Sequence, residues 1–384
     1  MPLSAEYEEI IKLIRFGIGH AVSSPPHAID WEAMEALAAR QGVWGVMVDV
    51  IDKLPESLRP PKYILLPWVG VVMQRYERRY EHYRRAIAEM AGFYNAHGFK
   101  MMVLKGYACS LNWPRPEHRP AGDIDIWQFG KQKEADAVLG SWFKLHGSDQ
   151  DIDTSHHHHT VFNWGEFAVE NHYDFINVYH HKSHAKLEKI FKELGTFKVE
   201  SGEFSVDSQL KGCSVEGCKI PSIEVYGEKV YLPSPNLHAL FLLKHTMLHF
   251  VSGEITLRQL LDWAFFVERH TKDIDWGWLK KTLDEYGMRP AFDIFNAICV
   301  EDLGFSLQLF PKIQFNPKLK DKVLAEILMP DQVSYNKLGG IPRLINRFLR
   351  WKDSAWKHEL CYKESMWSAF WYGVWGHLLK PKTI

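Results

Sequence analysis

A chain of 384 residues is long enough for about two or three compact units. Its 46% hydrophobic and 24% charged residues exclude a disordered or fibrous chain. The formal net charge of −1 removes the whole-chain attraction to phosphate on which a dedicated nucleic-acid binder depends, so nucleic acid is not indicated as a partner, although a local basic groove stays open.

The chain begins with an acidic, amphipathic stretch, MPLSAEYEEIIKLIRF, which is not a secretory signal. No run reaches the roughly 18 apolar residues of a membrane span. No transmembrane segment and a cytoplasmic location are therefore expected. Residues 1–98 read as helical, with Ile10, Leu13, Ile14 and Ile18 at helical spacing, and Met34, Leu37 and Ala38 likewise. The run 71–97 predicts one long helix, burying Tyr76, Tyr80, Tyr83, Ile87 and Met90 and turning its Arg/Glu alternation to solvent. Gly98 stops it.

Lys100–Leu104 is a short apolar run, followed by Gly106 and a helix through Leu111. After a Pro-rich loop, Asp123–Phe129 alternates like a strand. Residues 131–146 predict a helix with Ala135, Val138, Leu139 and Trp142 inward. Thr160–Trp164 and Phe167–Phe175 predict two strands joined by Gly165–Glu166. Ser222–Tyr226 and Lys229–Leu232 predict two more, turning at Gly227–Glu228. Pro233 and Pro235 mark a boundary; the chain is then helical to about Phe310, looser over 311–340, and helical and aromatic over 341–379. The expected fold class is α+β: a mixed β-sheet module over 99–232, between a helical N-terminal region, 1–98, and a helical C-terminal domain, 233–384.

Five scattered cysteines with no CxxC pair indicate neither a zinc ribbon nor a disulfide framework. Cys213 and Cys218 frame a short loop, where pairing is the alternative to two free thiols. The aromatic tail, with Trp351, Trp356, Trp367, Phe370, Trp371 and Trp375, is expected to pack on the protein's own helices rather than lie on a membrane surface.

The chemistry centres on Gly122-Asp123-Ile124-Asp125-Ile126. Residues two apart in a strand share a face, so Asp123 and Asp125 project together while the isoleucines enter the core. Two adjacent like charges repel unless a cation lies between them, and magnesium takes one or two carboxylates plus substrate phosphates. On that ground, Asp123→Asn and Asp125→Asn are each expected to leave thermal stability unchanged or higher. Upstream, Lys105 and Gly106 stand at a strand-to-helix turn, where glycine admits close approach and lysine adds positive charge. Downstream, Glu170, His172 and Asp174 share a strand face, and Glu170 can complete a three-carboxylate site for two magnesium ions. His156–His159 are read as exposed, two to each strand face, with metal binding, and with it a metal-dependent hydrolase, as the alternative.

Val103–Trp127, Phe167–Phe175 and Leu242–Val267 together resemble the uncharacterised nucleotidyltransferase family of the polymerase-beta-like superfamily. The family pattern is a Lys-Gly turn, Arg-x-x-Gly-Asp-x-Asp, a later Glu-x-His strand and a helical His/Arg/Asp segment. It falls here on Lys105-Gly106, Arg119 through Asp125, Glu170 to His172, and His245, His249, Arg258 and Asp262. The resemblance implies metal-dependent transfer of a nucleoside monophosphate from a nucleoside triphosphate to an unknown acceptor. Asp123, Asp125 and Glu170 would bind magnesium; Lys105, Gly106, Arg119 and Arg258 would meet the nucleotide; His172, His245, His249 and Asp262 would support them. For the helical segment the alternative is a helix–helix contact with an internal Arg–Asp pair. Tyr107 departs from the Gly-Ser or Gly-Gly of the superfamily. A Tyr107 ring across the cleft would favour a catalytically inactive nucleotide-binding or partner-binding protein, and a core-facing ring would leave the turn open.

Overall fold

The computed structural model describes residues 5–18, 29–195, 198–200, 203–205, 220–329 and 352–379. The chain divides into two compact units. A helical unit combines Met1–Val72, Leu243–Thr271 and Lys280–Met366; a sheet unit combines Met73–Leu242, Lys272–Leu279 and Trp367–Ile384. Cys213 and Cys218 lie outside the described residues, whereas Cys109, Cys299 and Cys361 are buried free thiols.

In the helical unit, α1 (Ala5–Ile18), α2 (Trp31–Arg40), α3 (Trp44–Lys53) and α4 (Lys62–Val72) each bury an apolar stripe. Asp30 caps α2 by accepting the Ala33 amide at 3.1 Å. Gln41, 1% exposed, joins three distant segments. Its Nε2 donates to the Ile327 and Leu328 carbonyls at 3.1 and 3.2 Å, and its Oε1 accepts the Leu257 amide at 2.9 Å.

The sheet unit begins with a π-helical turn, Met73–Glu77, and α5 (Arg78–Ala96). Thus 71–97 is not one uniform helix: it passes from the end of α4 through this turn into α5. Next come β1 (Met102–Val103), α6 (Gly106–Ser110), β2 (Ile124–Trp127), α7 (Gln132–Leu145), β3 (His159–Trp164), β4 (Phe167–His172) and α8 (His184–Gly195). A small hairpin, β5 (Lys198–Glu200) and β6 (Glu203–Ser205), precedes β7 (Ser222–Val225) and β8 (Glu228–Tyr231). The main sheet is mixed and six-stranded, in the order β3-β4-β2-β1-β8-β7. Strands β2 and β4 are parallel neighbours, and β3 and β4 are antiparallel. The β7–β8 turn is Tyr226–Gly227, at φ 49° and 84°, one residue earlier than expected. Positive φ at both central residues matches the twist of a two-residue hairpin.

One sheet face is covered. Ile124, Ile126, Phe162, Phe167 and Val169 join Tyr83, Ile87 and Met90 of α5 and Ala135, Leu139 and Phe143 of α7 in a single core. Full burial of each such side chain contributes roughly 1.5–3 kcal/mol. A polar knot fixes α7 to that face: Asp136 accepts from Thr160 and from Asn171, each at 2.8 Å, and from Gln132. With this face closed, the alternate side chains of β2, β3 and β4 meet on the other.

Strand β4 ends at His172, short of the expected Phe175, because the amides of Tyr173 and Asp174 both turn to the His158 carbonyl at 3.0 Å. Asp174 therefore does not share the strand face with Glu170 and His172; it pairs with Lys192. The region expected to be loose contains a helix, Pro317–Leu328, capped by Asn316 and opened by Pro317. The tail also differs from expectation. Trp356 packs edge-on to Phe250 at 5.6 Å, but Trp367, Phe370, Trp371 and Trp375 are 43–64% exposed. Helix Met366–Leu379 is apolar all round, so no single buried face could take all four.

Candidate active site

In β2 and β4, Asp125 and Glu170 are register partners, as are Trp127 and His172. Side chains directly opposite one another share a sheet face, so the acidic residues of two separate strands stand side by side. One ligand atom each from Asp125, Glu170 and His172 lie within 4.8 Å of one another. Asp125 Oδ1 accepts from Lys105 Nζ at 2.6 Å and lies 3.0 Å from His172 Nε2. Glu170 Oε2 is 3.5 Å from the same His172 nitrogen. Asp123 stands exposed at the mouth of β2, outside that set of mutually close ligand atoms.

The charges are strongly interdependent. Burial works against the ionised Asp125 carboxyl, but Lys105 and His172 outweigh it and hold the pKa well below the usual range. Burial likewise opposes protonation of His172, yet hydrogen bonds to Asp125 and Glu170 raise it to about 9. Lys105 is desolvated, and Asp125, Glu170 and Asp123 still keep its pKa above normal. The protein mass around Asp123, with Asp125 nearby, moves that carboxyl up. The centre is thus a cluster of ionised groups in which Asp125 is balanced by two cations of the chain itself.

Gly106 explains how the Lys-Gly turn reaches the strand. Its φ is 27°, and a Cβ there would lie 2.2 Å from Tyr83 Oη and 3.3 Å from the Asp123 carbonyl oxygen. Tyr83 Oη donates to that same carbonyl at 2.6 Å. Tyr107 is 3% exposed, its ring centroid 6.0 Å from Tyr80 and 6.3 Å from Tyr83, so the ring faces the core and leaves the turn clear. Arg119 is buried and donates to the Pro120 carbonyl at 3.2 Å.

The remaining expected residues belong to the helical unit. His245 and His249 are 3.0 Å apart through their Nε2 atoms, and Asp262 is buried. The Arg258 side chain runs against Gly42, and its amide donates to Gln41 O at 3.3 Å.

Two features of the sheet unit escape a residue-by-residue reading. A groove of about 610 Å³ is lined by Arg75, Arg78, Arg79 and His82, together with Gln74, Ala121 and Glu166. Arg79 Nε donates to Ala121 O at 3.1 Å, two residues before Asp123, and Nη1 donates to Glu166 at 2.7 Å. These basic residues recur at i, i+3, i+4 and i+7, a helical stripe that the balanced net charge conceals. The other feature is His156–His159. Only His159 lies in β3 and it is buried; His157 and His158 are half-buried in the preceding bend, and His156 is exposed. The expected exposed alternation fails because the chain after β4 folds back onto His158.

The structure thus sets a Lys-Gly turn against an Asp-x-Asp strand, with a Glu-x-His strand beside it in a mixed sheet. This chain belongs to the uncharacterised nucleotidyltransferase family, whose model matches residues 27–211 and 215–304. A crystal structure of an antigenic nucleotidyltransferase-like protein from Paracoccidioides brasiliensis is 13% identical, with a TM-score of 0.32 over 58% of this chain and 92% of that one. No curated protein matches. No helix among the described residues is long and apolar enough to cross a membrane.

Proposed function

We propose that this protein transfers a nucleoside monophosphate from a nucleoside triphosphate to a hydroxyl or similar acceptor, with magnesium. The observation that carries the reading is the registered pair Asp125 and Glu170 on neighbouring parallel strands, with Asp123 at the mouth of the first. Their oxygens are the hard donors that magnesium prefers. When bound by Asp123, Asp125 and Glu170, two magnesium ions would neutralise the triphosphate and the leaving pyrophosphate. Lys105 is held protonated and 2.6 Å from Asp125, placed to exchange that carboxylate for a substrate phosphate. Glu170, whose pKa is lowered against burial by its hydrogen bond to His172, is ionised and able to accept the acceptor's hydroxyl hydrogen bond. Arg119 and Gly106 shape the turn beside the phosphates.

A second reading, a nucleotide-binding protein without turnover, draws on the pairing of Asp125 with Lys105 and His172, which already balances its charge. Labelled nucleoside triphosphates, magnesium and cell extract separate the two. The transfer reading expects label on an extract component, lost in Asp123→Asn and Glu170→Gln. Transfer near the wild-type rate in both variants would sink the mechanism, and magnesium-dependent binding with no transfer would favour the second reading.

A further inference from the structure

The site face carries three imidazoles that the transfer reaction does not employ together. His159 at the start of β3 and His172 at the end of β4 are cross-strand partners. His158 is drawn onto them because its carbonyl accepts the amides of Tyr173 and Asp174. The ring centroids are 4.3 Å apart for His158 and His159, 5.5 Å for His158 and His172, and 5.3 Å for His159 and His172. One nitrogen from each ring lies within 4.8 Å of the other two.

Several details suit these nitrogens to a metal. His172 Nδ1 is 3.2 Å from the Asp174 carbonyl and orients the ring by donating there; Nε2, now 3.0 Å from Asp125 Oδ1, would exchange its proton and that contact for the metal. The Nδ1 atoms of His158 and His159 are buried without a hydrogen-bond partner, and buried nitrogens in native folds are seldom left so. Glu170 stands beside two of these rings, its Oε1 3.7 Å from His159 Nε2 and its Oε2 3.5 Å from His172 Nε2, so a rotation of its carboxylate would bring it to the three imidazoles as a fourth donor. Tetrahedral zinc places neighbouring ligand atoms roughly 3.4 Å apart, so small ring rotations close the set. Three imidazole nitrogens and one carboxylate oxygen form a borderline donor set that prefers zinc to magnesium.

We propose that His158, His159 and His172, with Glu170, form a zinc-binding site beside the Asp123–Asp125 carboxylates. The site is separate in chemistry from the magnesium site and stands whether or not the chain transfers nucleotides. Glu170 is shared, so zinc held by the imidazoles would draw that carboxylate away from Asp125.

The test uses the full chain, stripped by chelator and titrated with zinc chloride by calorimetry in excess magnesium. One zinc per chain is expected, with a nitrogen-rich first shell by X-ray absorption. His158→Ala and His159→Ala should each weaken binding at least about tenfold, and Asp123→Asn should change it less than about twofold. His158 lies outside the strand, so its variant decides the matter if His159→Ala fails to fold. Zinc binding unchanged in His158→Ala would overturn the proposal, as would loss in Asp123→Asn equal to that in the histidine variants, which would put the zinc on the aspartates.

Discussion

Asp123 and Asp125 are two residues apart and have opposite physical standing. Removing the exposed Asp123 carboxylate relieves repulsion, and Asp123→Asn should keep or raise the melting temperature. Asp125 is 1% exposed and neutralised by Lys105 and His172, so the expected gain from Asp125→Asn does not carry over. That change removes the nearest partner of the part-buried Lys105 ammonium and should cost about 2 kcal/mol in denaturant unfolding; an unchanged midpoint would show that the pair is not formed. Gly106 offers a sharper test, since the nearest obstacle to a side chain there is one hydroxyl, Tyr83 Oη. Gly106→Ala should destabilise by about 2–3 kcal/mol through positive φ and overlap with Tyr83 Oη. In a Tyr83→Phe background the overlap is gone, so the same change should cost less. Additive effects in the double variant would disprove the close approach.

At the scale of elements, the alternation of β2 was legible because it rests on local periodicity, and the core face of α7 was legible in part: Ala135 and Leu139 are buried, but Val138 and Trp142 are half-buried and Phe143 enters the core instead. The site's own register was not legible, since nothing local to 123–127 says that β4 pairs with it in parallel, Asp125 opposite Glu170. Helix α8 shows a further limit. Leu187, Phe191 and Leu194 recur at helical spacing, but the helix also buries Glu188, a charge that propensity places outside. Glu188 accepts the Phe175 and Ile176 amides at 3.0 Å each and so fixes the chain leaving β4. Burial outweighs those amides and raises its pKa to about 8. A folded-state value above the unfolded one means that the folded chain holds the proton longer. The contribution is complete below the ordinary carboxylate value of 4.5 and is lost as pH rises through about 8. Unfolding free energy should therefore fall across that window by up to ~1.4 kcal/mol per pH unit from this group. Glu188→Gln should flatten the slope; an identical slope would assign it elsewhere.

At the scale of the molecule, linear boundaries give way to units assembled from separated segments. The helical unit joins Met1–Val72 to Leu243–Thr271 and Lys280–Met366. No periodicity in the first 72 residues announces partners more than 200 positions away. Gln41 makes the dependence measurable, because its buried amide serves Leu257, Ile327 and Leu328 together. Gln41→Ala leaves the Leu257 amide and two carbonyls unpaired and should cost about 2–4 kcal/mol. A loss below about 0.5 kcal/mol by chemical denaturation would mean that water replaces the side chain. The basic stripe at 75, 78, 79 and 82 likewise vanishes from a whole-chain sum and emerges only when a helix lines its members up.

Core and site are interleaved residue by residue in β2 and β4, which restricts how this chain can change in length. One residue inserted within 124–127 or 167–172 would transpose the two faces, sending carboxylates into the core beneath α5 and α7 and isoleucine or valine into the polar cluster. Those two segments have no neutral length variants, whereas the exposed stretch 146–149 after α7 can lengthen without disturbing either face. In a library of single-residue insertions scored for folded protein, the two strands should be blank and 146–149 populated.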